Sequence, residues 1–179
     1  LATAEAAILK KAFDFGEAGA QAAQVKSSFD NLIGTLGAAP DTLNQLRQAT
    51  RETVSDLELM GSTNTLLIGT SGQLGSALVE NAPQLAQIAQ AAHDVNPALG
   101  ETGFLYDSLA KGIKRASPMI LDNLGITIKM EDAYQAYAES VGKSAQALTA
   151  EEKSLAILNA VLKSGNTLIE QAGQVSTTS

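Results

Sequence analysis

Ala110-Lys111-Gly112-Ile113-Lys114-Arg115-Ala116-Ser117-Pro118-Met119-Ile120-Leu121-Asp122-Asn123-Leu124-Gly125-Ile126 reads as a helix, a corner and a second, short helix. Lys111, Lys114 and Arg115 suit the C-terminal end of the incoming helix, where the macrodipole favours cations. Ser117 reads as an N-cap, because its hydroxyl can accept from an unbonded N–H of a first turn. Pro118 fits the first helical position, where a missing N–H costs nothing. Met119, Ile120, Leu121 and Leu124 then form the short helix, and Gly125 takes the left-handed position that stops it.

Downstream of the corner, Ile126-Thr127-Ile128-Lys129-Met130 alternates apolar and polar residues. A lone strand has nothing to pair with, so the stretch reads as an extended connector tucking Ile126 and Ile128 inward. Glu131 and Asp132 suit the first turn of a helix carrying Ala133, Tyr134, Tyr137 and Val141, stopped at Gly142. Thr149-Ala-Glu-Glu152 has capping-box spacing. It opens a helix with Leu155, Leu158, Leu162 and Ile169 on one face, to be ended by Gly165 or Gly173. Ser176–Ser179 reads as a frayed tail.

Upstream, residues from Ala2 to Leu36 form the longest helical pattern. Phe15, Ala18, Ala22, Val25, Phe29, Leu32 and Leu36 recur at alternating spacings of three and four, an a/d stripe that fits a coiled-coil seam between copies or an amphipathic helix on a globular core. Gly37-Ala-Ala-Pro40 breaks it. Asp41 reads as the cap of a helix with Leu43, Leu46 and Ala49, and Ser55-Asp-Leu-Glu58 as a capping box opening one with Leu59, Met60, Leu66, Leu67 and Ile68. Gly69, Gly72 and Gly75 punctuate a loop; they lack the Lys-Ser/Thr of a phosphate-binding loop and follow no strand. Leu78, Ala82, Leu85, Ala89 and Ala92 mark the next helix, which Pro83 either kinks or begins after Asn81. Asn96-Pro97 ends it, and Thr102 caps a helix with Phe104, Leu105, Leu109 and Ile113 leading into the corner. The expectation is an all-α chain: a multi-helix domain with short loops. It divides into a long amphipathic or coiled-coil helix over 1–37, a helical domain over 41–165, and a helix end with tail over 166–179.

Composition narrows the function. Twelve basic residues against nineteen acidic ones give a net charge of −7, which argues against nucleic acid as a specific partner. Cysteine is absent, so disulfides and thiolate metal sites are excluded and the compartment stays open. No signal-peptide pattern and no apolar run of about 20 residues is visible, so a soluble piece is expected. The chain starts at Leu1 and not at methionine, as expected of a fragment of something longer. Alanine-rich faces bury little area each, which favours many helical neighbours or an oligomer over an aromatic-rich enzyme core.

Catalytic constellations are missing. The single histidine, His93, lies beside Asp94, but adjacent helical residues face different ways, and a helix-end histidine on the macrodipole is the simpler reading. Glu131/Asp132 and Glu151/Glu152 sit in first turns, where acids belong. Glu101 and Glu139 are conceivable general acids without a local motif. Asp122 and Asn123 read as polar groups serving a helix end. No catalytic, cofactor-binding or metal-ligating residue is assigned, and no cofactor is implied.

Ser117-Pro118-Met-Ile-Leu121-Asp122-Asn123-Leu124-Gly125-Ile126 strongly resembles tape-measure proteins of long-tailed bacteriophages and prophages. The likeness continues in register through Ala133-Tyr134, Tyr137-Ala138, Gly142-Lys143, Leu148-Thr149, Glu152-Lys153 and Leu158-Asn159-Ala160-Val161-Leu162, ending near Gly165. It reaches back more loosely to Asp56. The resemblance implies a long, mostly helical structural protein of the virion. Such proteins lie in several copies inside the tail tube or near its tip, as a homo-oligomer such as a trimer or hexamer, and set tail length. They are made in the bacterial cytoplasm, meet tail-tube and tail-tip proteins and assembly chaperones, and leave during genome ejection, contacting the host envelope. No catalytic residue comes with the motif. Two other classes compete: a helical interaction segment of a secreted or surface assembly, and a membrane-active helical protein.

Overall fold

Helix ends set this architecture. The computed structural model describes the backbone of residues 2–178 and the side chains of residues 18–174. Its helices are α1 (Ala2–Thr35), α2 (Thr42–Ala49), α3 (Asp56–Leu67), α4 (Gly72–Val95), α5 (Thr102–Lys114), α6 (Pro118–Asp122), α7 (Met130–Val141) and α8 (Ala150–Thr178). Two 3₁₀ turns, Pro97–Leu99 and Ala145–Ala147, complete it, with no strand among the described residues. The chain is all-α.

The capping residues do what their chemistry requires. Ser55 accepts from the Glu58 N–H while the Glu58 carboxylate accepts from the Ser55 N–H, a closed capping box. Thr149 and Glu152 repeat it at the start of α8, at 3.1 and 3.2 Å. Gly142 ends α7 in the left-handed conformation. Two expected caps are not formed. Asp41 makes no side-chain cap and instead accepts from Gln45 Nε2 at 3.1 Å. Glu101, not Thr102, stands at the start of α5; the Thr102 side chain is buried and donates to Gln90 Oε1 at 3.1 Å.

Helix α4 is the axis of the molecule. Leu78, Val79, Ala82, Leu85, Ala86, Ile88, Ala89, Ala91 and Ala92 are all buried on it, the pattern of a helix covered on several sides. Helices α2, α3, α5 and α8 pack around it. Helix α8 runs parallel to α4: Leu74 N–H donates to Glu151 at one end, Gln84 pairs with Asn166 further along, and Gly165 lies against Ile88. Pro83 sits inside α4, so no helix begins after Asn81. Gly72 and Gly75 belong to α4 and not to a loop, and Gly165 and Gly173 lie within α8 and end nothing.

Helix α1 joins this core through its C-terminal part. Phe29 and Ile33 are buried, Val25, Leu32 and Leu36 pack against the core, and Asn64 Nδ2 donates to the Val25 carbonyl at 3.0 Å. Over residues 25–36, then, the stripe covers this chain's own core. Ala18 is exposed and Ala22 half-buried, while the Phe15 side chain lies outside the described residues, as does Ser179 at the end of the tail. One apolar cluster runs from Phe29 in α1 to Ala172 in α8, crossing both expected segment boundaries. Ile68 and Phe104, expected on apolar helix faces, are 63% and 62% exposed.

Candidate functional site

The Ser117–Gly125 corner is built by local bonds. The Ser117 side chain accepts from the Ile120 N–H at 3.3 Å, and Pro118 occupies the first turn. At the far end, Gly125 has φ +82°, its N–H donates to the Asp122 carbonyl at 2.9 Å, and the Ile126 N–H reaches the Leu121 carbonyl at 3.0 Å. These two bonds form a Schellman closure, and the apolar pair it brings together, Leu121 and Ile126, is fully buried. Asp122 accepts from the Thr127 hydroxyl at 3.1 Å, so it serves the helix end as expected.

The same closure ends α5, with a residue not made for it. Ala116 has φ +50°, its N–H donates to the Ile113 carbonyl at 3.1 Å, and the Ser117 N–H reaches the Gly112 carbonyl at 3.0 Å. Gly112 lets the corner fold back: a Cβ there would lie 2.9 Å from Leu121 Cδ2 and 3.1 Å from Ile120 Cγ2.

The residues singled out by the sequence divide by what they do in the fold. Leu121, Leu124, Ile126 and Leu158 are core. Ser117, Pro118, Gly125 and Gly142 shape helix ends, and Asn123 is exposed near one. Tyr134 packs against the core with the Lys153 ammonium 5.7 Å from its ring centre, within cation–π range. Tyr137 and Asn159 do something else. They line an open groove of about 580 Å³ between α7, α8 and the connector. Its floor is small and apolar, from Ile128, Ala133, Ala136, Ala156 and Ala160, and its edges carry Lys129, Asp132 and Lys163. Ala133 and Ala160 stood in the run quoted for the resemblance, but neither they nor the other alanines and lysines were read as lining a groove. The signal was present as small residues at helical spacing: Ala133, Ala136 and Ser140 on α7; Ala156, Ala160 and Ser164 on α8.

Several of the candidate catalytic groups are engaged by neighbours. His93 Nδ1 lies 2.8 Å from the Gly100 carbonyl, while Asp94 engages Arg51 and Gln90, so the two form no dyad. Glu152 binds Lys143 at 2.9 Å, and that bond, with the capping hydrogen bonds from Thr149, holds its carboxyl below the ordinary value. Glu139 accepts from Gln135. Among the described residues no group of three or more His, Asp or Glu side chains could hold a metal. In the core, Gln90 ties three elements together, meeting Thr53, Thr102 and Asp94.

Comparison with family models, curated proteins and solved structures gives no match to this chain.

Proposed function

We propose that the chain is a structural segment of a tail tape-measure protein of a long-tailed bacteriophage or prophage. Its role there is to pack helices within or at one end of the tail tube, beside further copies of itself and tail-tube and tail-tip proteins. It is released when the genome is ejected. The observation that carries this reading is the run from Ser117 to Gly165 that resembles the family. The way that run is used fits a structural role: it supplies caps, a closure and core side chains, and part of it lines an open groove. An extended helix rises about 1.5 Å per residue, which is the physical basis of a protein ruler. The corners at Ala116 and Gly125 make residues 102–165 a compact part of such a chain, not a straight rod. No described helix is long and apolar enough to cross a membrane, which lends nothing to the membrane-active reading.

Mass spectrometry of purified particles from the host strain tests the proposal. Peptides of this chain are expected in intact tails and depleted from particles that have ejected their DNA. Their absence from tails, with recovery from a secreted or surface complex, overturns it.

A further inference from the structure

In a chain with net charge −7, cations should be absorbed by the surplus of carboxylates. Most are: Lys26, Arg47, Arg51, Lys111 and Lys143 pair with acids, Lys114 binds the Ile68 carbonyl, and Lys153 sits over Tyr134. Among the described side chains only Arg115, Lys129 and Lys163 have no ionic, hydrogen-bonding or ring partner, and two of these three line the α7–α8 groove. The Tyr137 hydroxyl and the Asn159 amide line it too, and neither engages a partner within the chain.

Unspent cations, a free tyrosine hydroxyl and a free amide thus surround an alanine floor. A small apolar centre with a polar rim is the anatomy of a protein interface, and tyrosine is enriched among residues that anchor one. The trough follows α8 from Ala156 to Thr167, a rise of about 16 Å or three helical turns. An alanine floor leaves room for a neighbour's larger side chains.

We infer that the α7–α8 groove docks an acidic amphipathic helix of another protein. Its apolar stripe lies along the exposed Ala136 and the half-buried Ala160, above the buried Ala133 and Ala156, and its flanking carboxylates meet Lys129 and Lys163. Asp132, in the first turn of α7 just after Lys129, repels a carboxylate placed beside it and so helps fix the register of the bound helix. The inference stands on the groove alone and does not depend on the tape-measure reading.

The test uses two fluorescein-labelled peptides of roughly 18 residues, long enough to hold a helix. Both carry leucine once per turn; one has flanking glutamates and the other lysines in their place. Fluorescence anisotropy with the full chain is expected to show micromolar binding of the acidic peptide and none of the basic one. Lys129→Glu/Lys163→Glu is expected to weaken the acidic peptide about tenfold or more and to admit the basic one. Ala136→Arg, at an exposed position, is expected to block the acidic peptide, and unchanged thermal midpoints show that the variants fold. The inference is overturned if the wild type binds neither peptide, or if binding survives both variants. It is also overturned if sedimentation shows the wild-type chain self-associating in a way that Ala136→Arg abolishes, which assigns the groove to a second copy.

Discussion

Replacing Gly165 by alanine sets two opposed effects against each other. In a helix interior, glycine to alanine is worth about 1 kcal/mol in favour of the variant. Gly61 in α3 shows that effect alone, because a Cβ there meets nothing within 4 Å. At Gly165 the new Cβ overlaps the Ile88 side chain, reaching its Cγ1 and Cδ1. Ile88 is fully buried on α4, and a β-branched side chain in a helix has essentially one χ1 well, so it cannot swing aside. Overpacking of this kind costs about 1–3 kcal/mol. The upper part of that range applies, which leaves Gly165→Ala less stable than wild type by about 1–2 kcal/mol. For a chain of 179 residues each kcal/mol moves Tm by about 2–4 °C. Urea and thermal unfolding followed by far-UV circular dichroism should therefore place Gly61→Ala above wild type and Gly165→Ala below it. Ile88→Ala alone should cost about 2–5 kcal/mol, and at least 1 kcal/mol less beside Gly165→Ala, whose methyl partly fills the cavity. Gly165→Ala at or above the wild-type stability would refute the close parallel packing of α4 on α8.

Two further variants probe the corner. Ala116→Gly relieves a left-handed alanine and is expected to raise unfolding stability by about 1 kcal/mol, whereas a decrease would contradict the closure described at that site. Ser117→Ala removes the cap and is expected to cost about 1 kcal/mol, seen as a lower urea midpoint at constant slope. The bidentate bond from Arg47, at 2.7 Å, holds the Asp56 carboxyl below its ordinary 3.8. A depressed carboxyl contributes stability above its unfolded value and loses it as pH falls through the folded one, so Arg47→Gln should flatten the loss of stability below about pH 4. The pair is substantially exposed, so the effect is small and fades with salt. Tyr106 is the opposite case: burial pushes its hydroxyl above the ordinary 10.0. That contribution is intact below about pH 10 and lost above it, so Tyr106→Phe should flatten the alkaline limb while costing about 0.5–1.5 kcal/mol at neutral pH. Thr63 donates to the Leu59 carbonyl at 2.7 Å, so the Tyr106 O–H is the donor in their 2.6 Å bond.

What could be read in advance was local. Ser55, Ser117, Thr149 and Gly142 act within four residues of themselves, so their chemistry shows in the neighbouring letters. The α4 stripe was equally plain, because Leu78, Ala82, Leu85, Ala89 and Ala92 share one face whatever lies opposite. The position of Gly165 was misread for a nonlocal reason: glycine stops a helix in one setting and admits a neighbouring helix in another, and only Ile88 distinguishes them. Phe104 misled likewise. Its ring closes over Gly100, a contact of the α4–α5 turn, and remains largely exposed. The groove was hidden because alanines on α7 mean nothing until α8 folds back beside them. Tyr137 and Asn159 were singled out as part of a pattern, but their shared location belongs to the tertiary fold.

The two corners built without glycine differ in what holds them. At Ala116 the alternative to a left-handed residue is a helix running on through Ser117 and Pro118. Proline inside a helix costs about 3 kcal/mol, more than the 1–2 kcal/mol or so of a single left-handed alanine. The chain turns there on local grounds. Between α2 and α3 nothing comparable forbids continuation, yet Arg51 and Glu52 both take positive φ, at 50° and 59°. Two such residues cost about 2–4 kcal/mol. Part of this is offset by burying Val54, worth about 1.5–3 kcal/mol. The rest comes from Arg51 on Asp94, Thr53 at Gln90 and the bidentate Arg47–Asp56 pair across the turn. Asp94 and Gln90 both belong to α4, so this corner depends on α4 being in place, whereas the α5–α6 corner forms from its own letters. Gln90 is consequently the residue through which the order of α4 reaches the α2–α3 turn and, through Thr102, the start of α5.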